Sequence, residues 1–302
     1  MMRVVITGGT GLIGRALAAD LSDQYDVVVL SRQAGPVSGL PPAVRVVQWD
    51  VKSADTWASL ADGALAIINL AGAGIADGRW TAARKAAIIN SRIQAGRAVV
   101  AAVEAASVKP RVVIQASAVG YYGVATRERP LTEHDPAGSD WLASVVQAWE
   151  PSTAAVEEMG VRRVIARIGV VLAADGGALP RMVAPFRFGA GGPLGSGEQW
   201  LSWIHLTDQV RALRFLLENE GASGPFNLTA PNPVQNRELA NRIGTVLALP
   251  ALLPAPAFAL RLALGEMATM VLDGQRVMPH RLLDAGFRFR FSEVETALRD
   301  LL

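Results

Sequence analysis

The strongest constraint on the fold is a junction near the start of the chain. Arg3-Val4-Val5-Ile6-Thr7 runs directly into Gly8-Gly9-Thr10-Gly11-Leu12-Ile13-Gly14. A short β-branched run that stops at glycine predicts a buried strand over residues 3–7. Leu12, Ile13, Ala16, Leu17 and Leu21 then recur on one face of a helix, over 11–21. Strand, glycine turn and helix in that order open a βαβ unit.

The pattern repeats. Strands are predicted at 26–30, 44–49, 66–70, 111–116 and 163–168, with a long helix over 81–106. Strands alternating with helices form a parallel sheet covered on both faces. The predicted class is therefore α/β, a doubly wound Rossmann sheet over residues 1–170 with a smaller substrate-side region over 171–302. One strand near 225–229 is expected to return to the sheet. The glycine-rich segment 175–197 reads as loops, and Asn236 as the cap of a helix. Phe287, Phe289 and Phe291 alternate with Arg288 and Arg290 as in a half-buried strand, and Ser292 with Glu295 reads as a capping box.

The 302 residues hold no cysteine, which excludes disulfides, thiolate metal sites and a cysteine nucleophile. The three histidines, His134, His205 and His280, lack ligand spacing, so no metal is expected. Net charge is +2 and the basic residues are scattered, so no nucleic-acid partner is expected. The most apolar stretch, 251–272, is broken by Pro254, Pro256, Arg261 and Glu266, which argues against a membrane span. No secretory signal is legible at the start. These features predict a cytoplasmic protein with a small-molecule substrate and no membrane partner.

Gly8, Gly11 and Gly14 stand at GxxGxxG spacing. The first permits the tight turn, the second lets a pyrophosphate approach the backbone, and the third lets helix and strand pack closely. Backbone N–H groups of Leu12 and Ile13, at the helix N-terminus, complete an anion site with Thr7 ending the strand. The second strand ends in Ser31-Arg32, where an NAD site usually carries an acid on the ribose 2′-OH. Arginine instead pairs with a 2′-phosphate, so NADP(H) is the expected cofactor, a solvated surface Arg32 being the alternative. Asp50 is placed either to accept from an adenine amino group or to close a turn.

With Asn69-Leu70-Ala71-Gly72 after the fourth strand, these residues resemble the extended branch of the short-chain dehydrogenase/reductase superfamily. Gly78-Arg79-Trp80, Asn90-Ser91-Arg92-Ile93, Ser117-Ala118-Val119-Gly120-Tyr121-Tyr122-Gly123 and Ser202-Trp203-Ile204-His205 are similar to one atypical subgroup. Its members are called epimerase-family or nucleoside-diphosphate-sugar epimerase-like proteins and carry a C-terminal domain of unknown function, here about 250–302. The resemblance adds Leu70, Ala71 and Gly72 to the cofactor set.

The superfamily works with a Tyr and a Lys four residues later, and no tyrosine here has such a lysine. Leu142 and Val146 stand at those positions on a helix expected over 141–159. Ser117 matches the superfamily serine if the segment to Gly123 holds one extra residue. Tyr121 and Tyr122 lie just beyond, with Arg92 as the candidate cation in place of the lysine. The alternative is that Ser117 ends a strand with a satisfied hydroxyl and the tyrosines pack the loop. Arg167 would bind an anionic substrate or bridge the two parts of the chain. Trp203 and His205 are cleft candidates, His205 alternatively being a core residue. The implied function is an NADP(H)-dependent oxidoreductase or epimerase-like enzyme on a small, sugar-nucleotide-like substrate; the competing reading is a silent NADP(H)-binding regulator.

Overall fold

The computed structural model describes residues 1–35, 37–124 and 129–302. Its first half is built from β1 (Arg3–Thr7), α1 (Leu12–Leu21), β2 (Asp26–Ser31), β3 (Arg45–Gln48), α2 (Ala58–Ala61), β4 (Ala66–Asn69), α3 (Ala82–Ala105), β5 (Val112–Ala118), α4 (Trp141–Trp149), α5 (Ala155–Glu158) and β6 (Arg162–Ile168). The second half holds β7 (Val170–Ala173), β8 (Gly176–Gly177), α6 (Leu179–Arg187), β9 (Trp200–Leu201), β10 (Trp203–His205), α7 (Leu206–Glu218), β11 (Gly224–Leu228), β12 (Val234–Gln235) and α8 (Asn236–Leu247). Four short helices follow: α9 (Ala257–Leu264), α10 (Thr269–Leu272), α11 (His280–Asp284) and α12 (Val294–Leu301).

Among the described residues, seven strands form one parallel sheet in the order β11-β6-β5-β4-β1-β2-β3. The two-residue period sorts its side chains cleanly. Val4, Ile6, Val27, Val29, Ile68, Ile114 and Val164 pack with α1 and α7 on one face. Val5, Val28, Leu30, Ile67 and Val113 pack with α3 and with Trp49 and Trp57 on the other. Strand addition reverses between β1 and β4, and this switch point opens a crevice at the carboxyl ends of the strands, where ligands bind in such sheets. A third core, built on Leu172, Val183, Phe186, Trp203, Ile243 and Leu298, holds the smaller lobe together. Among the described residues, no helix is long and apolar enough to cross a membrane.

Several local expectations are corrected. Residues 175–197 are not all loop, because α6 forms there with Pro180 in its first turn, where a missing N–H costs nothing. The N-cap of α8 is Gln235, not Asn236, whose Oδ1 accepts the N–H of Leu194 across the lobe at 2.7 Å. The helix over 141–159 is interrupted by a 3-10 turn at Glu150–Thr153, which contains Pro151. No capping box opens α12: its N-cap is Glu293, and Glu295 pairs with Arg299 and Arg242.

The alternation at 287–291 is correct in burial, with Phe287 and Phe291 inside. It is not a ladder strand. The N–H groups of Arg290 and Phe291 donate to the fully buried Asp208 carboxylate at 2.9 and 2.8 Å, and Arg211 reaches it at 2.7 Å. A side chain thus does the work of a neighbouring strand. Asp208→Ala would leave two buried N–H groups unpaired and should cost about 2–4 kcal/mol by urea denaturation, with the far-UV spectrum preserved.

Candidate functional site

At the switch point the strand ends are tied together side by side. Thr7 Oγ1 donates to Asn69 Oδ1 at 2.6 Å and accepts the Ala71 N–H at 3.2 Å. Asn69 Nδ2 donates to Gln115 Oε1 at 2.8 Å, and Gln115 Nε2 donates to the Ala116 carbonyl at 2.7 Å. This buried chain sets the relative height of β1, β4 and β5, and with it the glycine turn and the Leu70-Ala71-Gly72 segment.

The glycine turn fits a dinucleotide. Gly8 has φ +66, and a Cβ there would stand 2.7 Å from the Leu70 backbone. A Cβ on Gly14 would lie 2.5 Å from the Gly8 carbonyl oxygen, so α1 is drawn tightly onto the turn. The first turn of α1 carries neither a side-chain cap nor an acidic residue, which leaves its positive end for an anion. Leu12 and Ile13 stand in that turn, Ile13 packed on the sheet core, and the substrate-side hairpin at Gly176–Gly177 lies against Leu12.

Ser31 Oγ accepts the Gln33 N–H at 3.1 Å, bending the chain out of β2. Arg32 is exposed beyond the bend, and none of the ion pairs among the described residues engages it. Asp50 closes a turn: its Oδ1 accepts from Lys52 and Ser53 at 2.8 and 3.0 Å, which holds its pKa below the ordinary carboxylate value.

At the far end of the crevice the residues singled out in the sequence assemble around an unforeseen acid. Ser117 Oγ donates to Glu150 Oε1 at 2.6 Å. Arg167 clamps the same carboxylate with two bonds, Nε to Oε1 at 2.8 Å and Nη2 to Oε2 at 3.1 Å. Its Nη1 donates to the Tyr122 hydroxyl at 3.1 Å, and that hydroxyl donates to Asn227 Oδ1 at 2.7 Å. The guanidinium lies 3.4 Å from the Tyr121 ring centroid. The Asn227 N–H donates in turn to Glu133 Oε1 at 2.9 Å. All of these groups except Tyr121 are buried. Burial pushes the Tyr122 hydroxyl up to about 12, against the pull of Arg167. The Glu150 pairing holds Arg167 above its ordinary value although burial acts the other way.

Three expectations change. The cation beside the tyrosines is Arg167, not Arg92. Arg92 braces the loop after β4, donating to the Ala73 and Ile88 carbonyls at 3.0 and 2.9 Å with its guanidinium over the Trp149 ring. Burial, with the nearby charge of Arg84, lowers its pKa to about 10. Arg167 faces inward to Glu150 and the two tyrosines, all within the first part of the chain, and neither outward to an anionic substrate nor across to the second part. Trp203 is a core residue rather than a cleft residue, and His205 takes the hydrogen-bonded core role that its sequence context also allows. Trp203 Nε1 donates to the Asn232 carbonyl. His205 stacks on Phe291, its Nδ1 accepts the Thr207 N–H as the cap of α7, and burial lowers its pKa.

Leu142 and Val146 do lie against the Ser117–Gly123 segment, 3.7 and 3.9 Å from a Cβ built on Gly120. Glu150 follows Val146 by one helical turn, so spacing alone was a usable signal for it. Asn227 and Glu133 carried none, because β11 and the 131–135 loop come beside Tyr122 only in the fold.

A doubly wound sheet with a glycine-lined switch point and a polar cluster at the end of β5 defines a dinucleotide-binding Rossmann-type fold. Residues 4–229 match the model of the NAD dependent epimerase/dehydratase family, and residues 255–301 match a domain of unknown function (DUF1731). The chain belongs to the NAD dependent epimerase/dehydratase family. It is 40% identical to epimerase family protein YfhF of Bacillus subtilis (strain 168), over 100% of this chain and 98% of that one. It is 41% identical to the chloroplastic epimerase family protein SDR39U1 homolog of Arabidopsis thaliana, over 100% and 87%. The crystal structure of human epimerase family protein SDR39U1 (isoform2) with NADPH superposes with a TM-score of 0.88 at 32% identity, covering 99% of each chain. A nucleoside-diphosphate sugar epimerase from Corynebacterium glutamicum superposes at 0.79 with 31% identity, over 99% of this chain and 58% of that one.

The raised Tyr122 pKa has a testable consequence. An unfolded tyrosine ionises near pH 10, while the folded Tyr122 stays protonated to about 12. The unfolded state therefore loses its proton first, and this contribution to stability is complete below pH 10 and falls away as pH rises toward 12. Chemical denaturation across that window should show the loss in the wild type and a flatter profile in Tyr122→Phe. Glu150→Ala, which strands the Arg167 charge, should cost about 3–5 kcal/mol at pH 7.

Proposed function

We propose that this chain binds NADP(H) across the β1–β4 crevice and acts as an oxidoreductase or epimerase-like enzyme on a small, sugar-nucleotide-like substrate. The single observation that carries the cofactor assignment is the exposed Arg32 one residue past the end of β2, in no ion pair among the described residues, beside a glycine turn that a Cβ would fill. The human relative crystallised with NADPH supports it. The Corynebacterium relative's description as a nucleoside-diphosphate sugar epimerase supports the substrate class.

In this reading the N-terminus of α1 holds the pyrophosphate, Arg32 the 2′-phosphate, and Ala71 and Gly72 border the dinucleotide. When bound there, NADP(H) would supply hydride-transfer chemistry. The chain's own contribution is positional. Ser117 donates its hydroxyl hydrogen bond to Glu150, so its oxygen keeps lone pairs to accept a hydrogen bond from a substrate hydroxyl. Arg167 holds Glu150 so that this orientation is kept, and Tyr121, stacked on Arg167, is the tyrosine placed to contact substrate. Tyr122 is committed to Asn227 and does not serve as a proton donor near neutrality.

One observation favours a second reading, a silent NADP(H)-binding regulator: Leu142 and Val146 fill the places of the superfamily's proton-transfer pair with apolar side chains. Calorimetry with NADPH and NADH on wild type and Arg32→Ala tests the cofactor. Arg32→Ala should weaken NADPH by about 1.5–3 kcal/mol and leave NADH unchanged. Absorbance at 340 nm across a panel of sugar nucleotides then separates the readings. Turnover reduced about 10²-fold in Ser117→Ala supports the enzyme; tight NADPH binding without turnover supports the regulator.

A further inference from the structure

Helix α9 has no buried residue. Phe258 and Leu262, one turn apart on it, are 74% and 80% exposed, and Leu252 and Leu253 stand exposed just before it. Phe188, at the end of α6, is 86% exposed. These positions belong to one surface because their segments are laced together. The Leu253 N–H donates to the Gly191 carbonyl at 3.1 Å, the Ala255 N–H to Pro193 at 2.9 Å, and the Gly195 N–H to Ala255 at 2.9 Å. The far end of α9 is pinned to the body. Arg79 donates to the Leu262 and Ala263 carbonyls at 3.0 and 2.8 Å, and Lys85 pairs with Glu266. The apolar side chains are therefore presented outward on a held element.

Within the two segments that form this surface the charge has one sign, and two acids beside them are paired, Asp77 with Arg84 and Glu266 with Lys85. Residues 176–197 and 247–265 contain three charged residues, Arg181, Arg187 and Arg261, and no acid. All three arginines are exposed. Acids resume only at the borders, at Asp175, Glu198 and Glu266, the last already paired with Lys85. A second copy docked face to face by two-fold symmetry would bring this cationic patch against itself. An apolar helix whose own segments carry cations and no acid, with interrupting prolines that preclude a span, matches the interface of an anionic bilayer.

We propose that this face docks the protein on an anionic lipid surface. Phe188, Leu252, Leu253, Phe258 and Leu262 enter the headgroup–acyl boundary, and Arg187 and Arg261 meet lipid phosphates. The exposure that produces this surface is invisible in the sequence, where the same stretch argues only against a membrane span and no membrane partner is expected.

Co-sedimentation of the full chain with phosphatidylcholine vesicles, with and without phosphatidylglycerol, tests the proposal independently of the cofactor and the reaction. Binding should require phosphatidylglycerol and fall with added salt. Phe258→Glu with Leu262→Glu should abolish it, and Arg187→Ala and Arg261→Ala should each weaken it about fivefold. NADPH affinity of these variants, whose substitutions lie outside the cofactor crevice, reports that they fold. No sedimentation with phosphatidylglycerol vesicles overturns the proposal. So does a concentration-dependent dimer by light scattering that Phe258→Glu and Leu262→Glu dissolve, since that would assign the face to a second copy.

Discussion

The reversal of strand order between β1 and β4 is the constraint on which the rest depends. It creates a crevice that no side chain of the sheet can fill, because the two crossovers leave in opposite directions. Gly14 brings α1 onto the turn so closely that a methyl group there would collide with Gly8. The positive end of the helix therefore stands over the crevice, with no acid in its first turn. The bonds from Thr7 through Asn69 to Gln115 carry that alignment across the next two strands to the end of β5.

At that end, the Arg167–Glu150 pair organises the polar groups. A buried bidentate ion pair stabilises a fold weakly in net terms, because desolvation offsets much of the attraction, yet losing one partner is costly. Its consequence is geometric: Glu150 fixes the direction of the Ser117 hydroxyl, and Arg167 fixes both tyrosines. The apolar Leu142 and Val146 occupy the preceding two turns of the same helical face. That face is therefore packed against the Ser117–Gly123 segment, and a charged clamp stands one turn further along.

The second lobe is assembled by substitutes for regular structure. Asp208 receives backbone N–H groups that a neighbouring strand would otherwise pair, and His205 caps α7 while stacking on Phe291. Both are polar residues placed in the core by backbone demand. Chemistry-bearing residue types in this half are therefore poor guides to the site, which is why Trp203 reads as a cleft candidate and is internal.

The sequence by itself determined the parallel sheet, the glycine turn, the arginine after β2 and the absence of a Tyr–Lys pair. Each is a local or periodic property: two-residue alternation, glycine spacing, or a residue at a strand end. Tertiary structure alone decided that Arg167 and not Arg92 accompanies the tyrosines, that Asn227 and Glu133 join their network, and that α9 presents its apolar side chains outward. Those outcomes depend on which distant segments meet when β11 returns beside β6 and the 250–272 stretch folds over the rim. Side-chain pairing across such separations leaves no periodic trace in a single chain.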